Sequence, residues 1–474
     1  MGWLHLRPFT AMAAALLVSG LTGCVPGIVP VGINPSIPQH FLDQRARAAA
    51  VDARWWREFH QPELDRFAAR TLADNFDIAA AKARIVQAGA AARLAGAPLL
   101  PSLTLNGNYS HAKSSANDGP INPPAQDSHQ LGLTASFELD FWGKNRATAD
   151  AAQKTAIASV FDAETVRLAS LAATANAYFA VLAAREQAAN TLNNLRNARA
   201  VLALIGKQLA AGTATALDQA QQQNIVDTLA ASVPPLRLSV AQNEDALALL
   251  LGVPPESVRV RGATLSGVRL PRVAPGLPSQ ILERRPDVAS AEMQLEANAA
   301  SLTAARAAFF PAITLTGQAG YQSPSLLSLF RPRNLFYSLA AGLTQPIFNN
   351  GSLQSSFDQT KGRQDELIAN YKKSVISAFS DVDKALASLR YLGQQEALQR
   401  RALASSQKAF DLSQMQLKAG LVNLVTLLNT ETSLFTARNS LVATRLARLN
   451  ALVSLYQALG GGWQGGDGHG STIR

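Results

Sequence analysis

Leu99-Leu100-Pro101 is followed by the alternating run Leu103-Thr104-Leu105-Asn106-Gly107, and Phe309-Phe310-Pro311 is followed by Ile313-Thr314-Leu315-Thr316-Gly317. Each run closes a helical stretch. Asn75-Phe76-Asp77-Ile78 opens the first stretch and Arg285-Pro286-Asp287-Val288 the second. Both landmarks recur at one offset: 287 less 77 and 311 less 101 each give 210. Gln208-Leu209-Ala210-Ala211-Gly212 returns as Gln416-Leu417-Lys418-Ala419-Gly420, and Leu251-Gly252 as Leu459-Gly460, both 208 residues on. A period of about two hundred residues is far longer than a solenoid unit. The chain is one architecture written twice, each copy with long helices and two strands.

Composition agrees with long helices. Hydrophobic residues make up 47% of the 474 residues but aromatics only 6%, so the apolar content is mostly Ala and Leu. Such sequences form helices that pack closely on small side chains. The net charge of +10 comes without a Lys/Arg block interleaved with aromatics, which describes solvated helix surfaces rather than a nucleic-acid site. No enzyme is expected. The six histidines (His5, His40, His60, His111, His129, His469) show no metalloprotease spacing, and no nucleotide-binding Gly loop follows a strand. His111 and His129 flank one loop and are read as an incidental surface pair, so no metal site is expected.

Four segments depart from the helical pattern. Leu103, Leu105, Gly107 and Tyr109 alternate with polar residues, as do Leu131, Leu133, Ala135, Phe137, Leu139 and Phe141. Ile313, Leu315, Ala319 and Tyr321 form a third set; Leu335, Tyr337, Leu339, Ala341 and Leu343 a fourth, with Phe336 an exception on its polar face. Alternation over about ten residues is the strand signature, and about ten residues also cross a bilayer at a tilt. In a membrane barrel the apolar face meets lipid and the polar face meets water in the lumen. Lipid offers no partner to a free backbone N–H or C=O, so four strands must close with strands from other copies. The loop His111 to Ser128 is polar and turn-rich. The loop Ser323 to Asn334 carries Leu326, Leu327, Leu329 and Phe330, either packed on a neighbouring loop or lining a constriction.

Gly143 and Gly351 follow the second and fourth strands, and proline-free stretches 144–211 and 352–419 come next. Each would be about 100 Å long as a continuous helix. Leu168, Leu171, Ala175, Tyr178 and Leu182 fall at 3-4-3-4 spacing, as do Val375, Phe379, Val382, Leu386 and Leu389, which marks packing stripes. Gly212 and Gly420 suit left-handed helix ends, with Thr215 and Asn423 as N-caps of the returning helices. Each half thus ends in a helical hairpin tip. Asp218 is either a capping-box partner of Thr215 or a charged group at a pore entrance.

At the N-terminus, Arg7 precedes the apolar run Phe9 to Val18, too short for a mature membrane span. Leu21-Thr22-Gly23-Cys24 follows, and Cys24 is the only cysteine. This resembles a bacterial lipobox, with residues 1–23 a signal peptide and Cys24 bearing a diacylglycerol and an N-acyl lipid. Val25, in place of Asp, points to the outer membrane. The expected divisions are then a lipid-anchored segment 24–60, a first repeat 61–252, a linker 253–278 with five prolines, a second repeat 279–459 and a disordered Gly-rich tail 460–474.

With these parts placed, the chain resembles the trimeric outer-membrane channels typified by TolC, in the NodT/OprM-like lipoprotein branch. The resemblance rests on Trp55-Trp56 with Phe59 and Leu64, Asn75-Phe76-Asp77-Ile78, Leu100-Pro101, Leu139-Asp140-Phe141-Trp142-Gly143, Glu283-Arg284-Arg285-Pro286-Asp287-Val288, Phe310-Pro311 and Gln345-Pro346-Ile347-Phe348. It implies a mainly α fold with a membrane β-barrel: a homotrimer giving four strands per protomer to twelve, above a periplasmic tunnel of long antiparallel helices. It implies no cofactor, and as partners a periplasmic adaptor, an inner-membrane pump of resistance-nodulation-division type, and outer-membrane lipid. Gly212, Thr213, Gly420 and Leu421 match the tips where adaptors engage. Asp218 matches an entrance acid. Val422 stands where a gate arginine is found, and Thr426 and Asn429 stand at lumenal acidic positions, so closure is assigned to Leu421, Val422 and Leu424. Two rivals remain: a duct for type I protein secretion, and a periplasmic coiled-coil adaptor lipoprotein.

Overall fold

The computed structural model describes residues 52–113, 125–262, 264–271, 273 and 278–463. Cys24 and the signal peptide lie outside the described residues. Helices α1 (Pro62–Asp74) and α2 (Phe76–Gly96) lead to strands β1 (Ser102–Ala112) and β2 (Gln126–Leu139). Helices α3 (Lys144–Ala210) and α4 (Ala216–Leu250) complete the first copy. The second copy repeats the order: α5 (Pro278–Arg284), α6 (Pro286–Ala307), β3 (Ala312–Ser323), β4 (Leu335–Thr344), α7 (Ser352–Lys418) and α8 (Leu424–Ala458). The long helices match in length, 67 residues for α3 and α7 and 35 for α4 and α8. Helix α4 runs unbroken through Pro234 and Pro235, which lack the N–H groups that the carbonyls of Ala230 and Ala231 would otherwise receive.

The chain forms two compact units. The first contains the strands and the helix segments that adjoin them, within 88–156 and 293–368. Its sheet is antiparallel in the order β1-β2-β3-β4, so the two hairpins join through β2 and β3. The register keeps parity across all three ladders: Leu105 faces Leu133, Leu133 faces Ala319 and Ala319 faces Tyr337. Odd-numbered positions therefore make one apolar face and even-numbered positions one polar face. β2 stops at Leu139, two residues before the expected end at Phe141. The Asp140 carboxylate accepts from the backbone N–H groups of Asn145 and Arg146 at 3.0 and 2.8 Å, which starts α3 instead. Trp142 stacks on Phe310 and donates to the Pro311 carbonyl at 2.8 Å, tying the first copy to the second.

The second unit lies within 52–87, 157–292 and 369–463 of the described chain. Leu168, Leu171, Ala175, Tyr178 and Leu182 are all buried there, as are Val375, Phe379 and Val382. Trp55 stacks on Tyr456, whose hydroxyl donates to Glu58 at 2.6 Å, and Phe59 packs on Phe179. Trp55, Trp56 and Phe59 thus belong to the core, so the last residues of the expected anchored segment are packed into this unit. The linker after α4 is packed rather than exposed. Val258, Val260, Leu265 and Val268 are buried in the same core. Glu63 accepts from the N–H groups of Arg261 and Gly262 at 2.9 and 2.8 Å. Arg445 donates to the carbonyls of Leu265, Ser266 and Val268 at 3.0, 2.9 and 2.8 Å. The first residues of the expected tail are packed: Gly460 and Gly461 are buried, and Trp463 meets Phe161 edge to face, while 464–474 lie outside the described residues.

Duplication is visible in the packing. A Cβ on Gly252 would strike the Asp74 carbonyl oxygen at the end of α1, and one on Gly460 the Arg284 carbonyl oxygen at the end of α5. Both glycines sit at positive φ, 65° and 82°, where only glycine is free of strain.

Arg445 also pairs with Glu396 at 2.9 Å, and Glu396 takes Arg400 and Arg448 at 2.7 Å each. Burial raises the Glu396 carboxyl, but hydrogen bonds from Arg400 and Arg448 outweigh it and hold the group at about 2, against 4.5 ordinarily. The folded state therefore binds fewer protons, and this stabilisation is lost as pH falls from about 4.5 towards 2. Arg445→Ala leaves Glu396 and three carbonyls short of a donor and is expected to cost about 3–5 kcal/mol, read as the urea midpoint of the solubilised protein.

Candidate functional site

The two hairpin tips share one construction. At the end of α3, Gly212 N–H donates to Leu209 O at 3.0 Å and Thr213 N–H to Gln208 O at 2.8 Å. At the end of α7, Gly420 N–H donates to Leu417 O at 3.0 Å and Leu421 N–H to Gln416 O at 2.9 Å. This paired pattern closes a helix around a left-handed residue, and the two glycines have φ of 73° and 70°. Nothing lies within 4 Å of a Cβ placed on either glycine, so both tips are open to a partner. Thr213 adds a side-chain donation to Gln208 O at 3.1 Å.

The returning helices differ where they begin. Thr215 Oγ1 accepts from Asp218 N–H at 3.1 Å, and Asp218 Oδ2 accepts from Thr215 N–H and hydroxyl at 2.9 and 2.7 Å. The Thr215 hydroxyl, then its backbone N–H, hold the Asp218 carboxyl below the usual range, so it stays ionised at the positive end of α4. Asn423 accepts from Thr426 N–H and hydroxyl at 3.0 and 2.9 Å. Thr426 carries no charge, so the second tip lacks the acidic half of the motif. The first tip carries an acid at the start of its returning helix; the second has none there, and Lys418 in the last turn of α7 gives it a cation instead.

Of the apolar residues assigned to closure, Leu421 is exposed, Val422 is half-buried and Leu424 is buried. Leu424 packs with Val201, Ile205, Phe410, Leu417 and Leu427, which makes it a core residue of the hairpins rather than a side chain free to seal a pore. Its place in the helical stripe explains this: Leu424, Leu427 and Glu431 follow one face of α8. Thr426 and Asn429 lie on the exposed face, with Val425. Leu217 and Val425, at equivalent positions of the two copies, are exposed apolar residues beside the tips. The 208-residue offset aligns them, and it is the one signal in the sequence that pairs them.

Glu431 sits two turns inside the second returning helix, 5% exposed, with neither carboxylate oxygen hydrogen-bonded. Gln222 on α4 donates its amide to Ala198 O at 2.9 Å and leaves its own oxygen unpartnered. Burial raises the Glu431 carboxyl to about 7, against a smaller lowering by Gln222. Among the described residues no group of three His, Cys, Asp or Glu side chains is placed to hold a metal ion. His111 lies 2.8 Å from Asp127, and His129 stacks on Tyr109 two rows further along the sheet.

Because folded Glu431 keeps its proton to higher pH than in the unfolded chain, stability is expected to fall as pH rises from about 4.5 to 7 and to level off above. The loss is about 3 kcal/mol. Thermal unfolding of wild type and Glu431→Gln at pH 5 and pH 8 checks this: the substitution removes that component of the pH dependence.

The model of a family described as outer membrane efflux protein matches this chain over residues 68–253 and again over 277–461. The pyoverdine export outer membrane protein OpmQ of Pseudomonas aeruginosa is 40% identical over 461 residues, covering 96% of this chain and 97% of that protein. The toluene efflux pump outer membrane protein TtgC of Pseudomonas putida is 32% identical over 432 residues, covering 90% and 89%. The crystal structure of the open state of the Neisseria gonorrhoeae MtrE outer membrane channel superposes with a TM-score of 0.82 at 28% identity, covering 90% of this chain and 96% of that one.

Proposed function

The chain belongs to the outer membrane efflux protein family, and we propose that it works as a lipid-anchored duct for small molecules, gated at its helical tips. As a member it is an outer-membrane channel, the exit duct of a tripartite efflux system, and not an enzyme. Its fold is that of the family's trimers, a helical tunnel with a β-barrel to which each chain gives four strands. The observation that carries the reading is the parity of the sheet, one face apolar and one polar, with the outer edges of β1 and β4 unpaired among the described residues.

Conduction is passive: the protein supplies a water-filled path, and energy comes from an inner-membrane pump of resistance-nodulation-division type through a periplasmic adaptor. Gly212, Thr213, Gly420 and Leu421 form the adaptor contact, because their exposed turns leave room for a second chain. Asp218, Val422, Thr426 and Asn429 border the gate, and Leu424 stiffens the hairpin behind it. Cys24 carries the lipid anchor, removed with its acyl mass by Cys24→Ala. Small-molecule cargo is favoured over exported protein by the relatives, named for pyoverdine and toluene.

Gly212→Val with Gly420→Val places β-branched residues at positive φ, at about 1–2 kcal/mol each, without a steric clash inside the fold. The trimer mass is expected to be unchanged and dye efflux by cells carrying the full pump to fall at least about tenfold. Normal efflux from the double variant would remove the tips from the docking role. Planar-bilayer recording of the purified trimer is expected to show a small, flickering conductance, and a water-soluble monomer without conductance would overturn the channel reading.

A further inference from the structure

The polar face of the sheet contains one residue that does not belong there by composition. The even-numbered strand positions are Ser, Thr, Asn, Gln, Gly or Ala, apart from Glu138 and Phe336. Glu138 is paired with Lys144 at 2.6 Å. Phe336 is thus the one large apolar side chain on this face among the described residues.

Its position is prepared by two glycines. Gly132, Gly320 and Phe336 lie in one row across β2, β3 and β4, Gly132 opposite Gly320 and Gly320 opposite Phe336. The Phe336 Cζ atom reaches within 3.5 Å of where a Cβ of Gly132 would stand, two strands away. A Cβ on Gly320 would meet the backbone of Leu131 and Gly132. The ring therefore lies across β3, over the space the glycines leave, with its outer side half exposed. Covering strand glycines with an aromatic ring stabilises a sheet. Here the same geometry also presents an aromatic surface among hydroxyls and amides that bind water.

We propose that Phe336 is a substrate-contact residue of the duct: three copies form an apolar collar inside the barrel that holds flat aromatic faces of passing solutes. This rests on the polar face being the lumenal one. A ring that is immobile on one side costs little entropy to stack upon, and offset stacking or edge contact with a second ring is favourable beyond the area buried. The flanking Asn106, Gln130 and Gln318 offer hydrogen bonds to polar edges without imposing a charge preference.

The test uses the purified full-length trimer in planar bilayers. The probes are 1-naphthylmethylammonium and methylammonium, equal in charge, added on the side of the strand loops. For wild type the naphthyl probe is expected to dwell at least about tenfold longer than methylammonium. Phe336→Ser should abolish the difference and Phe336→Trp restore it, with the trimer mass unchanged. Phe336→Leu, which still covers the glycines, should also lose the difference, and it serves if the Ser variant does not assemble. Equal dwell times for the two probes in wild type, or an undiminished difference in the Leu variant, would overturn the proposal. Added Trp emission in Phe336→Trp quenched by brominated lipid rather than by aqueous acrylamide would instead overturn the lumenal assignment on which it rests.

Discussion

A bilayer cannot satisfy a backbone amide. Among the described residues, β1 and β4 each have one ladder partner, so one side of each strand presents a row of N–H and C=O groups with nothing to pair with inside the chain. Water would serve these groups in a soluble sheet, but in hydrocarbon each costs several kcal/mol. Assembly follows from that cost. The apolar face fixes where the sheet must be, and the open edges fix that one chain is not enough there. The even spacing of the two hairpins then lets β2 and β3 pair within the chain, so that each copy contributes one continuous wall rather than two loose ribbons.

Duplication has been kept where packing demands it and released where function acts. Gly252 on Asp74 and Gly460 on Arg284 are the same close approach made twice, because no other residue fits either. Asn75 and Arg285 occupy equivalent positions yet do different things. Asn75 bonds Leu250 O and the Ile78 N–H, whereas Arg285 bridges Asp287 and Asp381. The tips diverge likewise, with Asp218 answered by Thr426. A trimer of such chains presents six hairpins of two alternating kinds, so anything that docks on the tips meets those with an acidic cap, Asp218, and those without one, beside Lys418, in turn.

Much of this was legible in the residues. Alternation located all four strands to within a few positions, and Gly212, Gly420, Thr215 and Asn423 marked both tips, because turns and caps depend on local chemistry. What escaped the sequence depends on distant partners. Val258, Val260, Leu265 and Val268 read as part of a proline-rich linker because the arginines that hold it lie far off in sequence: Arg185 on the Val260 carbonyl, and Arg445, about 180 residues away, on those of Leu265 and Val268. Gly460 and Gly461 read as the start of a flexible tail because their burial depends on Arg284 and Leu168, far back in the chain. The apolar character of Leu424 is visible in the sequence, whereas its direction, into the hairpin core, is not. Phe336 registered as an exception, and its reason lies in Gly132 and Gly320, on two other strands.

The stack of Trp55 on Tyr456 bears on the order in which the protein comes into being. The hydrogen bond beside it, from Tyr456 to Glu58, joins residues 398 positions apart. A ribosome delivers these partners at opposite ends of its work, and the second unit cannot close its core until nearly the whole chain has been made. Contacts of such long sequence separation form late and slowly. For a chain that reaches the outer membrane only after crossing another one, lateness is useful: the nascent polypeptide stays open, with its most aromatic core unsealed, until its last helix has arrived.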